Sequence, residues 1–174
     1  MAAGFNINRF RGALQGGGAR PNLFQVSVAG NDMGEEFSYM CKGASLPGTD
    51  IGSIDVPYFG RTIKVPGNRT YPEWTATVIN DEDFIVHQRV INWLENINST
   101  QPNLQTGQLG QSSALLSDIT IDQKRRDGTS VKEVSLKNAW PSSLAAIDLA
   151  WDSNDAIEEF TVTFQYDWWE VIST

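Results

Sequence analysis

Alternation of apolar and polar residues dominates the chain. In "FTVTFQYDWW" (160–169) the even positions Phe160, Val162, Phe164, Tyr166 and Trp168 are apolar, while Thr161, Thr163, Gln165 and Asp167 are polar. Neighbouring side chains on a strand point to opposite faces, so this pattern predicts a β-strand with one buried and one wet face. Trp169 breaks the pattern by placing an aromatic on the wet side. "NLFQVSV" predicts a strand with Phe24, Val26 and Val28 inward, and "FSYMC" a second one after a turn through Asn31 to Gly34. "EWTATVI" predicts a third, with Trp74, Ala76 and Val78 on one side. Residues 117–138 form a hairpin pattern, Ile119 and Ile121 facing Val134 and Leu136 across the turn signal Asp127-Gly128. "AIDLAWD" places Ile147, Leu149 and Trp151 on one face.

The period changes once. After "NDED" (80–83), an N-cap and an acidic first turn, Phe84, His87, Val90, Ile91, Leu94 and Ile97 recur at three- and four-residue spacing, which predicts an amphipathic helix. Asn98 to Pro102 end it. About seven or eight strands with one flanking helix describe a mainly β (α+β) chain, two packed antiparallel sheets in a sandwich or barrel-like domain.

Two regions fall outside this rhythm. Residues 1–20, with isolated Phe5 and Phe10, Gly16-Gly17-Gly18 and three arginines, read as an arm preceding a single β domain over 21–174. Residues 42–72 are dense in Gly and Pro around the extended pieces "SIDVPY" and "RTIKV". Proline removes ladder donors, so this stretch reads as a long ordered loop or projecting hairpin rather than a central strand pair. The stretch "QPNLQTGQLGQSSALL" (101–116) is uncharged and reads as a loop.

Length and composition suit a packed core: 174 residues, 40% hydrophobic and 20% charged. The apolar runs are too short to cross a bilayer, and the first residues lack the basic and apolar regions of a signal peptide. Cys41 is the one cysteine, so an internal disulfide or a thiolate metal cluster is excluded. A formal net charge of −8 argues against gripping nucleic acid.

Catalytic chemistry finds no footing. His87 is the sole histidine, lies on the helix's apolar stripe and reads as structural, with no G-x-S-x-G elbow accompanying it. "DSNDAIEE" (152–159) lacks the glycine of a calcium loop, and "GALQGGGA" lacks the lysine of a phosphate loop. Glu35-Glu36 and Glu158-Glu159 read as solvated pairs, since adjacent strand residues face opposite ways. Lys124-Arg125-Arg126 is either a solvated tip or a patch for an acidic neighbour. No cofactor is implied. What stands out is aromatic surplus, including Trp93 off the helix stripe, Trp169 off the strand face, and Phe5 and Phe10 in the arm. Such residues mark contact surfaces.

"ARPNLFQV", "CKGASLPG", "GRTIKVPGNRTYPEWTATVINDED", "NAWPSSL" and "IDLAWDSNDAIEEFTVTFQYDWWE", in this order from Ala19 to Glu170, resemble the tail tube proteins of contractile-tailed, T4-like bacteriophages. The resemblance implies a fold shared with type VI secretion and pyocin tubes. Six copies would close into a ring, and stacked rings would form a tube inside the contractile sheath, through which the genome passes. The implied partners are further copies of the chain, the sheath, baseplate and terminator proteins, and the tape measure protein followed by DNA in the bore. The implied location is the virion tail, after assembly in the host cytoplasm. Residues 42–65 become the loop reaching neighbouring subunits, and 1–20 an arm ordered on assembly. Interface candidates are then Phe5, Phe10, Leu46, Pro47, Ile54, Tyr58, Phe59, Arg61, Lys64, Arg125, Arg126, Trp168 and Trp169. An acidic bore would repel DNA, and Asp118, Asp122 and Glu133 are candidates to line it. Two alternatives stand: the tube subunit of a secretion or pyocin-like machine, and a monomeric β-sandwich binding a ligand through its tryptophans.

Overall fold

The computed structural model describes residues 7–14, 17–30, 32–101 and 115–173. Nine strands and three helices follow along these residues: α1 (Ile7–Ala13), β1 (Phe24–Ala29), α2 (Gly34–Met40), β2 (Cys41–Ala44), β3 (Asp50–Tyr58), β4 (Arg61–Thr70), β5 (Trp74–Ile79), α3 (Ile85–Ile97), β6 (Ser117–Lys124), β7 (Ser130–Leu144), β8 (Glu159–Gln165) and β9 (Trp168–Ser173). Phe5 and the uncharged run from 102 to 114 lie outside the described residues.

The mainly β, antiparallel class is as the alternation implies. Strands pair in the order β1-β6-β7-β8-β5-β2, with β9 also on β7, and β3 and β4 form a separate ribbon. The 15-residue β7 belongs to two layers. Its first part pairs with β6 and β9, and Trp140–Leu144 pair with β8. The crossing is built at Asn138, whose φ of 55° lies in the left-handed region. Asp118 fixes this corner by accepting from Lys137 Nζ at 2.7 Å and from the Asn138 backbone N–H at 3.2 Å. Asn138 Nδ2 in turn donates to Asp167 at 2.7 Å. A residue in a costly backbone region is held there by two side-chain bonds, and Lys137 fixes the Asp118 that makes one of them.

The layers meet over Val26, Ile119, Ile121 and Leu136 on one side and Trp74, Ala76, Val78, Phe160, Val162 and Phe164 on the other, all buried. Phe37 of α2 and Val86, Val90 and Trp93 of α3 join the same core. The sheet is not closed, so β1, β2 and β9 are free edges among the described residues.

Several expectations need correction. Gly34–Met40 is a helix, not a strand. Gly34 enters at φ 64°, Glu35 and Glu36 sit in the first turn, and Phe37 is the residue it buries. α3 buries Val86, Val90 and Trp93. The face is rotated from the predicted stripe: the buried Val86, Val90 and Trp93 stand at i, i+4 and i+7, whereas the predicted Phe84, His87 and Ile91 stand at i, i+3 and i+7 from a start two residues earlier. Trp93 is therefore core, 1% exposed, with Nε1–H donating to Leu115 O at 2.9 Å. The helix start is capped by Asp81, whose Oδ1 accepts the Ile85 N–H. "AIDLAWD" forms no strand. After Ala145 donates to Thr161 O, the chain leaves the ladder, and Leu149 and Trp151 face solvent. The inward run of β8 ends at Tyr166, because the chain turns at Asp167 and Trp168 begins a new strand, 44% exposed. The glutamates are not free pairs: Glu36 binds Arg89 at 2.8 Å, Glu159 binds Lys42, and Glu158 accepts from Asn80 at 2.6 Å. The Arg89 guanidinium holds the Glu36 carboxyl below its ordinary pKa.

Candidate assembly surfaces

The ribbon β3–β4 is the most conspicuous surface. Directly paired residues share a face, so Ile54 with Val65, Val56 with Ile63, and Tyr58 with Arg61 form one side. Asp55 with Lys64 and Pro57 with Thr62 form the other. The first side is apolar and uncovered: Ile54 57%, Val56 44%, Ile63 55% and Val65 42% exposed. Its tip, Phe59-Gly60, has both residues at positive φ, 42° and 77°, the pattern of a type I′ turn. Phe59 is 92% exposed and meets the Tyr58 ring edge-on at 4.7 Å. An isolated two-stranded ribbon is marginal in water, and an apolar one implies a partner.

The ribbon's root is anchored by two indoles. Trp74 Nε1–H donates to Ser45 O at 2.6 Å, and Trp169 Nε1–H lies 2.9 Å from both Gly48 O and Thr49 Oγ1. Half-buried Trp169 thus holds the base of the projection. Trp168, one residue away on the opposite face, is exposed. Leu46 is exposed beside this root and Pro47 half-buried.

The turn joining β6 and β7 is hydrogen-bonded within itself and cationic. Asp127 accepts from the Thr129 hydroxyl at 2.6 Å and its N–H at 3.0 Å, which lowers the Asp127 carboxyl pKa, and Gly128 takes φ 83°. Arg125 and Arg126 are exposed there and line a cleft with Arg20 and Lys124.

The three acidic candidates fall on one face. Asp118 and Asp122 alternate with the buried Ile119 and Ile121 on β6, and Glu133 pairs directly with Asp122. Glu170 on β9 joins this outward face, which also carries Thr120, Lys137 and the exposed Trp168 paired directly with Lys137, while Ser135, between Thr120 and Glu170, is buried. Each carboxylate has a local partner: Lys137 for Asp118 and Glu170, Ser130 for Asp122, and Ser173 for Glu133. Asp118 therefore also serves the β7 corner.

Of the remaining candidates, Phe10 is 62% exposed on α1. Val56, Ile63 and Val65 are not among the sequence-based candidates, although alternation in "RTIKV" carries the signal for the last two. The half-buried His87 packs edge-on to Phe84 and Phe160, at 5.8 and 5.1 Å. Burial raises the Cys41 thiol to about 11. Among the described residues no group of three His, Cys, Asp or Glu is placed to hold a metal ion, and no helix is long and apolar enough to cross a membrane.

The model of the phage tail tube protein family matches residues 7–172. The tail tube proteins gp19 of Enterobacteria phages T4 and T6 are each 38% identical over 153 residues, covering 87% of this chain and 91% of theirs. In fold, the sheath/tube terminator of an extracellular contractile injection system matches with a TM-score of 0.67 at 20% identity, over 90% of this chain and 97% of that one.

Proposed function

The chain belongs to the phage tail tube protein family, and from that premise we propose that six copies close into a ring, that rings stack into a hollow tube inside a contractile sheath, and that the viral genome passes through it. It is a tail tube subunit and a virion tail component. The observation that carries the assembly is the pairing of an uncovered apolar ribbon with an unclosed sheet. Free edges and an exposed apolar projection are hazards in a monomer, and closure into a ring removes both.

In this arrangement residues 21–174 form the wall. The arm, residues 1–20, and the loop around 42–65 bind neighbouring copies. Ile54, Tyr58, Phe59 and Arg61 meet an adjacent subunit through the ribbon, assisted by Leu46, Pro47, Phe10 and Trp168. The acidic outward face of β6, β7 and β9 lines the bore. Carboxylates there repel phosphates, so DNA slides without adhering. Sheath, baseplate and terminator proteins bound the tube. A tape measure protein fills the bore first and DNA follows it, the tube having been built in the host cytoplasm. The 38% identity to the phage T4 tail tube protein favours a genome-carrying tail over the extracellular systems that share the fold.

Negative-stain electron microscopy of the purified chain at rising concentration tests the assembly. Rings or hollow tubes with six-fold end views are expected. A strictly monomeric protein, even when seeded with baseplate, would overturn it.

A further inference from the structure

Charge is divided sharply along this chain. No Asp or Glu precedes Asp32, and no Lys or Arg follows Lys137. Each of these two regions also carries a segment whose large apolar side chains are left in solvent. On α1, Ile7 and Phe10, with Leu14 just beyond, recur at three- and four-residue spacing, 69%, 62% and 45% exposed, and no residue of the helix is buried. Arg9 and Arg11 accompany them. A seven-residue helix is too short to persist alone in water, so its stripe needs a surface to lie on.

The complementary surface hangs between β7 and β8. There Leu149, Trp151 and Ile157 are 83%, 103% and 70% exposed, interspersed with Asp148, Asp152 and Asp155. Among the described residues, neither the two arginines nor the three aspartates form an ion pair. The same composition with opposite sign occurs on both: three apolar side chains with cations on one, three with anions on the other.

We propose that α1 of one copy docks on the 145–158 loop of a second copy, Phe10 and Ile7 packing against Trp151 and Leu149 while Arg9 and Arg11 face Asp152 and Asp155. The placement suits a neighbour rather than the chain's own loop. Lys124 N–H donates to Leu23 O at 2.8 Å, which ties the arm's exit beside the β6–β7 turn, whereas the loop begins at the far end of the 15-residue β7. Contacts that join unlike patches of identical copies run head to tail and close into rings or propagate as stacks. This inference rests on the tube assembly and specifies one of its contacts.

The test uses full-length single-cysteine additions beside the contact, G12C and N154C, mixed and treated with a short bis-maleimide after assembly; Gly12 has open space around it and Asn154 is exposed. Cys41 is buried with a raised thiol pKa and stays silent. A cross-linked dimer that forms in the mixture, and in neither variant alone, is expected. In parallel, R9E/R11E and D152R/D155R should each assemble only at higher concentration, and mixing the two should restore particles through the reversed pairing. W151A should raise the threshold concentration about 30-fold, the scale of a truncated hot-spot aromatic. Tubes that form without the cross-link, or charge variants that assemble like the parent, overturn the docking while leaving the tube intact. Cross-linking only within a G12C/N154C monomer overturns it as well. Absence of both particles and cross-link at the highest concentration, even when seeded with baseplate, removes both conclusions together.

Discussion

Replacing Ile54 and Ile63 by threonine isolates the ribbon's apolar face from everything else in the fold. Both side chains point to the same side, on opposite strands, and neither belongs to the core cluster. Threonine keeps the β-branch and hence the strand preference, but removes two carbons from each side chain. At about 0.8 kcal/mol per CH₂, four carbons amount to roughly 3 kcal/mol if burial were complete. The side chains are 57% and 55% exposed in the free subunit, so only about that fraction remains to be buried on assembly. The loss is then roughly 1.8 kcal/mol per subunit, or about a 20-fold higher threshold concentration. The free subunit should hardly notice, because exposed substitutions away from packing usually stay within about 0.5 kcal/mol. Pelleting across a concentration series measures the threshold, and calorimetry of the dilute protein measures the Tm. An unchanged threshold would show that the ribbon face is not an interface. A Tm that falls by many degrees would show that these residues are packed in the monomer.

Three other perturbations follow from the same geometry. Phe59→Asn supplies the Asn-Gly pair a type I′ turn prefers and relieves a left-handed phenylalanine costing about 1–2 kcal/mol, so amide exchange in the ribbon should slow while the assembly threshold rises. If both improve, Phe59 has no part in contact. Trp169→Phe deletes the donor to Gly48 and Thr49, and should cost about 1–2 kcal/mol in urea unfolding and loosen the ribbon root by hydrogen exchange. Cys41, raised from 9.0 to about 11, favours the protonated fold, so stability should be fully present below pH 9 and decline as pH rises towards 11. A thiolate reagent at pH 8 should label it only on unfolding, and rapid native labelling would contradict its burial.

Much of the β-structure was legible because its alternation is enforced by burial on one face. Phe24, Val26 and Val28, Trp74, Ala76 and Val78, and the Ile119/Ile121–Val134/Leu136 hairpin all lie as their period requires. Where period alone misled, hydrogen-bonding partners decided. "FSYMC" is apolar at 37, 39 and 41 but also at 40, and Phe37 and Cys41 are one helical turn apart, so five residues cannot separate the two periods. "AIDLAWD" alternates without any strand to pair with. Trp169 seemed out of register because the chain had already turned at Asp167, where Asn138 and the Lys137 carbonyl hold it. The ribbon was legible as a projection from its prolines, while its apolar side emerged only when register paired Ile54 with Val65 and Val56 with Ile63. The three acidic candidates did reach one face, yet nothing in the sequence foretold that Asp118 also fixes the corner of β7.

A cryo-electron microscopy reconstruction of the assembled chain would test the tube most directly. Six subunits per ring should appear, with the Ile54/Ile63 face of each ribbon covered by a neighbouring copy and Asp122 and Glu133 facing the bore. Particles in which the ribbon stays in solvent and the bore is walled by Lys and Arg would contradict both the contact and the lubrication assigned here.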